Sequence, residues 1–153
     1  MGSKHTSNSV SSISGWIKNI NPHYGNPFIP DSSINCGSCA FAVESRLNGD
    51  STATASVDNF RHLRTDDGME RATGKKCVYM PVDKIAEHLR GMGAGSHLIV
   101  GINRRGPDGK PMTGHWFNAF YDGEKIYTID GQSGQIYDWP HDYGHVSEWC
   151  ALV

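Results

Sequence analysis

A chain of 153 residues carries 14 basic and 16 acidic side chains, with 37% hydrophobic and 10% aromatic residues, enough apolar material for one domain to bury a core without disulfide or metal staples. The near balance of charge gives no sign of the basic stripe of a nucleic-acid-binding surface or of a polybasic membrane patch. No apolar run approaches membrane-spanning length and none has the pattern of a signal peptide, so export would depend on a longer parent protein or a dedicated machine.

Residues 1–12 are rich in Ser, Thr and Asn without periodicity and read as a disordered tail, with Met1-Gly2-Ser3 a remnant of cloning. Residues 13–153 read as a single domain. Ile13, Trp16, Ile17 and Ile20 recur at helical spacing and predict a short amphipathic helix that Asn21-Pro22 stops. Three prolines and a glycine within residues 22–33 then impose an extended path.

Residues 35–49 predict the helix around which the chain is organised. Ala40, Val43 and Leu47 share a face, and Asn48-Gly49 supplies a left-handed cap. The helix begins at Asn35-Cys36, so the Cys36 thiol lies among unpaired backbone N–H groups at the positive end of the helix dipole, which favour the thiolate. Cys39 lies about a turn inside. The structural alternative is a pair of small buried cysteines filling a helix face.

Residues 50–80 are polar and weakly periodic, with Phe60, Leu63 and Met69 anchoring a short helix and a loop that is expected to be mobile and to face substrate. Residues 81–90 predict a helix with Pro81 at its first position, Val82, Ile85, Ala86 and Leu89 on one face, and Gly91 near its end. Residues 98–102 have the profile of a buried strand, and residues 104–113 that of an exposed connection.

Residues 115–121 and 124–130 are aromatic and β-branched runs around Asp122-Gly123, a strong hairpin signal. A two-residue turn sets Tyr121 against Glu124 and therefore His115 against Asp130, with Cβ atoms roughly 5 Å apart. Phe117 against Thr128 and Ala119 against Ile126 continue that face, which is expected to pack on the Cys36 helix. A thiol, an imidazole and a carboxylate so arranged form a nucleophile, base and orienter. Taken singly, His115 is a half-buried strand histidine and Asp130 a turn former, and a bulge would break the register.

Gly131-Gln132-Ser133-Gly134 is a turn by composition, in which Gln132 is either a polar side chain added to the site or a plain loop glutamine. His62, His88, His97, His141 and His145 read as surface or packing residues. A zinc site joining Cys36-x-x-Cys39 to His141-x-x-x-His145 is disfavoured by the long separation of its halves. A redox pair at Cys36 and Cys39 lacks the preceding buried strand of a thioredoxin setting.

Taken in order, Ile20-Asn21-Pro22, Asn35-Cys36-x-x-Cys39-Ala40 with Arg46-Leu47-x-Gly49, Gly114-His115-x-x-Asn118-Ala119 and Ile129-Asp130-Gly131-Gln132-Ser133-Gly134 resemble the papain-fold toxin domains of bacterial polymorphic toxins, a glutamine deamidase family. The resemblance runs from residue 16 to about residue 139. It implies an α+β, papain-like cysteine hydrolase fold in which the nucleophile helix packs on an antiparallel β-sheet. Position by position it implies Cys36 as nucleophile, His115 as general base and then acid, and Asp130 as the residue orienting the imidazole; Asn35 and Gln132 stand beside these as candidates for supporting the site. The family pattern commonly has a proline where this chain has Gly131.

Cys36-Gly-Ser-Cys39-Ala-Phe also resembles the Cys-Gly-Ser-Cys-Trp-Ala-Phe run of papain proteases, in which the second cysteine is the nucleophile. Cys39 therefore stands as the alternative nucleophile, or as the redox partner of Cys36. The resemblance implies a secreted or delivered bacterial effector that needs no metal or organic cofactor and binds neither nucleic acid nor membrane. It would deamidate a glutamine of a target-cell protein in the target's cytoplasm, with a cognate immunity protein as a further partner. The same acyl-cysteine chemistry serves a papain-like protease, a deubiquitinase and a transglutaminase, and a noncatalytic binding module on the same scaffold is the rival from another class.

Overall fold

The computed structural model describes residues 8–58 and 60–153, so the tail expected to be disordered lies mostly outside the described residues. Its last part is not tail. Helix α1 spans Val10–Trp16, and the serines that looked featureless close a capping box, Ser9 Oγ accepting from Ser12 N at 3.0 Å and Ser12 Oγ from Ser9 N at 2.9 Å. A 3-10 turn over Ile17–Asn19 continues it, and Ile13, Ile17 and Ile20 are buried as their spacing requires.

Six antiparallel strands form the sheet: β1 Cys77–Tyr79, β2 His97–Arg105, β3 Pro111–Tyr121, β4 Ile126–Asp130, β5 Gln135–Asp138 and β6 Val146–Leu152, in the spatial order β1-β6-β2-β3-β4-β5. Helix α2, Cys36–Leu47, and helix α3, Asp66–Thr73, cover one face; helix α4, Val82–Met92, covers the other. This is the α+β arrangement of a helix packed on an antiparallel sheet.

Between α2 and α4 the chain is more ordered than its polarity suggests. Phe60, Leu63 and Met69 are buried, and the stretch holds a 3-10 turn over Arg61–Leu63, helix α3 and strand β1 instead of one helix and a loop. Helix α4 passes through Gly91, where nothing crowds the backbone, and stops at Gly93, whose φ of 99° ends it. Strands β2 and β3 reach Arg105 and Pro111, so the expected exposed connection shrinks to a tight turn.

Two corrections concern β3. The hairpin turn holds four residues, because Asp122 Oδ1 accepts from both Glu124 N and Lys125 N at 2.8 Å while Asp122 N donates to the Lys125 carbonyl at 3.0 Å. The register is accordingly Tyr121↔Ile126, Phe120↔Tyr127, Ala119↔Thr128 and Asn118↔Ile129, two residues from the expected pairing. A slip of two keeps every side chain on its face, so His115 and Asp130 become diagonal neighbours on one face rather than directly opposed residues.

The second correction is which face meets α2. Phe117, Ala119 and Ile126 pack on α4 with Ile85 and Leu89, whereas Phe120 and Ile129 pack against Cys39, Ala42 and Val43 of α2, and Trp116 against Ala40. The face bearing His115 is thus the one away from the Cys36 helix. Glycine makes one approach feasible: a Cβ on Gly101 would lie 2.6 Å from the Trp116 ring.

Candidate active site

Cys36 is the first residue of α2, and Asn35 precedes it as N-cap without capping it by its side chain. The Asn35 amide points into the protein, Nδ2 donating to Asn21 Oδ1 at 3.1 Å and to the Ser56 carbonyl at 3.0 Å. Asn21 in turn donates to the Ser32 carbonyl at 2.8 Å and to the Gln132 carbonyl at 2.9 Å. This chain of amides ties the start of the helix to the turn after β4. The helix start is pressed further by Leu63, whose carbonyl oxygen would lie 1.9 Å from a Cβ on Gly37.

The last β3–β4 pair is Asn118↔Ile129, after which the chain turns through Gly131-Gln132-Ser133-Gly134 into β5, paired again at Asp130↔Gln135. Beyond that last pair, the N–H of Trp116 donates to Cys36 Sγ at 3.4 Å. The thiol therefore reaches the edge of β3 from the α2 side, at the level of the sheet, and the His115 ring meets it from the other.

His115 lies between two partners. Its Nε2 lies 2.9 Å from Asp130 Oδ2, and the Cys36 thiol acts on the ring closely enough to raise its pKa; with Nε2 engaged, Nδ1 is the nitrogen left to serve the thiol. Burial by itself would lower the His115 pKa, but the hydrogen bonds and charges of Asp130 and Cys36 outweigh it and raise the value from 6.5 to about 9. Burial also works against charge on Asp130; the bond and charge of His115, the Tyr143 hydroxyl and Ser133 N nevertheless hold its carboxyl below the usual range. Asp130 accepts four donors: His115 at 2.9 Å and the Tyr143 hydroxyl at 2.7 Å on Oδ2, and Gln132 N and Ser133 N at 3.1 Å on Oδ1.

Cys39 lies elsewhere. It is fully buried among Ile13, Ile17, Ile20 and Val43, and burial, followed by the charges of Cys36 and Asp130, pushes its thiol up. Cys36, Cys39, Cys77 and Cys150 are all free thiols. Gln132 lines a cleft of about 420 Å³ with Cys36, His115, Trp116, Arg64 and Gly101. Among the described residues no group of three or more His, Cys, Asp or Glu is placed to hold a metal ion. His141 instead stacks on Tyr137 at 3.6 Å, and His97 is buried 3.0 Å from Glu44.

Sequence reasoning missed Tyr143, which sits in an irregular loop with no period to mark it. It also treated Asn21 only as a helix stop, although the Ile20-Asn21-Pro22 motif was the available signal for a site-supporting amide.

The family model described as papain fold toxin 1, glutamine deamidase, matches residues 34–135. The chain belongs to this family. The matched segment is two thirds of the chain and contains Cys36, His115 and Asp130, while Asn21 and Tyr143 lie outside it. The α+β arrangement is accordingly a papain fold, in a family of toxins named for glutamine deamidase activity. No curated protein matches the chain. Among the described residues, no helix is long and apolar enough to cross a membrane.

Proposed function

We propose that this domain is a bacterial toxin or effector that hydrolyses the side-chain carboxamide of a glutamine in a target-cell protein, using Cys36, His115 and Asp130. The observation that carries the reading is the His115 imidazole set 2.9 Å from the Asp130 carboxylate and beside the Cys36 thiol that helps raise its pKa, inside a segment matched by a glutamine deamidase family. A histidine held positive to about pH 9 keeps a proton ready for a leaving group and stabilises a neighbouring thiolate.

The Cys36 thiolate attacks the glutamine Cδ, and the carbonyl electrons move onto oxygen. No side chain caps the first turn of α2, so its leading backbone N–H groups are available to the oxyanion. As the tetrahedral intermediate collapses, the C–N bond breaks, His115 gives its proton to the nitrogen, and ammonia departs from a thioester. Neutral His115 then takes a proton from water, whose oxygen adds to the thioester carbon. Cys36 leaves as thiolate, His115 is again protonated, and the glutamine has become glutamate. Asp130 holds the ring orientation throughout. Asn35 and Gln132 support the site by position, one tying down the helix start and the other lining the cleft. Delivery into the cytoplasm of a target cell, and neutralisation in the producing cell by an immunity protein, follow from a toxin of this chemistry.

The test is expression of the protein and of Cys36→Ala in bacteria, with growth scored and host proteins analysed by intact and peptide mass. Gains of about one dalton at particular glutamines, seen only with Cys36, are expected from replacing an amide by an acid. Cleavage fragments would reassign the domain as a protease, adducts with added amines as a transglutaminase. Activity that survives Cys36→Ala and disappears in Cys39→Ala would move the nucleophile.

A further inference from the structure

Beyond the three residues just assigned, the loop between β5 and β6 brings one side chain against the His115–Asp130 pair. We infer that Tyr143 is a positioning residue of this active site, its hydroxyl fixing the Asp130 oxygen that holds His115 and its ring walling the imidazole from water. The inference rests on the reading of Cys36 and His115 as nucleophile and base.

The hydroxyl donates at 2.7 Å to Asp130 Oδ2, the same oxygen that His115 Nε2 meets at 2.9 Å. With Oδ1 held by Gln132 N and Ser133 N, the carboxylate cannot rotate without losing a donor on one side or the other. The Tyr143 ring lies 4.8 Å from the His115 ring at 57°, and Phe117 stacks on the same imidazole at 5.8 Å. The His115 side chain is left 12% exposed.

Tyr143 is itself held firmly. Its carbonyl accepts from Arg104 Nη1 at 3.1 Å, its ring packs at 4.9 Å on Phe117, and His141 abuts it edge-on while stacking on Tyr137. A surface tyrosine does not need such fixing; one that aims a hydroxyl at a buried carboxylate does.

Two donors on one oxygen compete. Without the hydroxyl, Oδ2 belongs to His115 alone, so the imidazolium proton is bound more tightly and is yielded less readily to departing ammonia. The titratable groups facing His115 are Asp130 from β4, Cys36 from α2 and Tyr143 from this loop, with Tyr137, His141 and the charged Arg104 behind Tyr143 and Cys39 behind Asp130. Replacing Tyr143 by phenylalanine changes one of them and keeps the ring.

The experiment compares wild type with Tyr143→Phe by two readouts that need no natural substrate. One is the NMR titration of the His115 ring, and the other the pH dependence of Cys36 alkylation by iodoacetamide, followed by mass. In the variant the His115 titration is expected to move to higher pH by about half a unit, and the alkaline limit of the fast alkylation should move with it. An unmoved His115 titration overturns the inference, whether or not the variant melts at lower temperature, since a purely structural tyrosine would affect the melt alone. If wild-type Cys36 reacts no faster than Cys39, Cys77 and Cys150, and His115 titrates at its ordinary value, the underlying reading has failed instead.

Discussion

Replacing Asp130 by asparagine keeps the shape of the side chain and removes its charge. The Oδ1 position still has to accept from Gln132 N and Ser133 N, so the new NH2 group occupies the Oδ2 side, where it donates to His115 Nε2. That forces the neutral tautomer with its proton on Nδ1, the nitrogen that should receive the Cys36 proton. Activity is expected to fall by about 100- to 10,000-fold, the range spanned by positioned proton transfer.

The same substitution has a pH-dependent cost in stability. His115 is raised from 6.5 to about 9, which corresponds to a ceiling of about 3 kcal/mol, since part of the rise belongs to Cys36. Because the folded-state value is the higher one, this stabilisation is fully present below 6.5 and is lost as pH rises through about 9. Asp130 acts in the opposite sense, its lowered carboxyl contributing above the ordinary value of 3.8 and losing that contribution as pH falls through the folded-state value.

Urea unfolding of wild type and Asp130→Asn at about pH 6 and about pH 9.5 measures the gap directly. It should approach its ceiling at the lower pH and shrink by most of that amount at the higher. An equal gap at both, or a His115 ring still titrating near 9 in the variant, would refute the reasoning.

Cys39→Ala should leave mass gains at target glutamines intact while lowering stability by about 1 kcal/mol, because a fully buried sulfur is removed from packed surroundings; loss of activity with stability retained would contradict the placement. Asn21→Ala removes the donor to the Ser32 and Gln132 carbonyls and the acceptor of Asn35, at a cost of about 2–3 kcal/mol. Since Gln132 N also holds Asp130, a broadened or shifted His115 titration should accompany the lower melting temperature, and a melt change alone would confine Asn21 to folding.

The Cys36 helix was legible because punctuation marks both of its ends. Asn35 opens it and Asn48-Gly49 closes it, and the observed span of Cys36–Leu47 falls between them. The partnership of His115 with Asp130 survived a wrong register for a simple reason: the Asp122 side chain lengthens the turn by two residues, and two is the period of a strand. The choice of face did not survive. Trp116-Phe117-Asn118-Ala119-Phe120 is buried on both sides, so alternation separates two sets of side chains without telling which helix each will meet.

Strands β1, β5 and β6 carry short, mixed patterns such as Gln135–Asp138 that local propensity does not distinguish from loop. Tyr143 had still less to show. Its role depends on a contact across the fold that no spacing along the chain encodes, and it lies outside the segment shared with the family model.

The misassigned face also explains how the site is assembled. The thiol belongs to a helix on one side of the sheet and the imidazole to a side chain on the other, and two such groups can meet only where the sheet is interrupted. The interruption is the end of β4: its pairing with β3 stops at Asn118↔Ile129, and the Trp116 N–H beyond that point binds Cys36 Sγ. The residue at which β4 turns away is Asp130 itself, held in the turn by Gln132 N and Ser133 N. The turn that aims the carboxylate at His115 therefore also opens the gap that admits the thiol. Gly131, where a Cβ would lie 2.7 Å from Val43 Cγ2 and 3.1 Å from the Cys39 carbonyl oxygen, lets that turn press against the Cys36 helix.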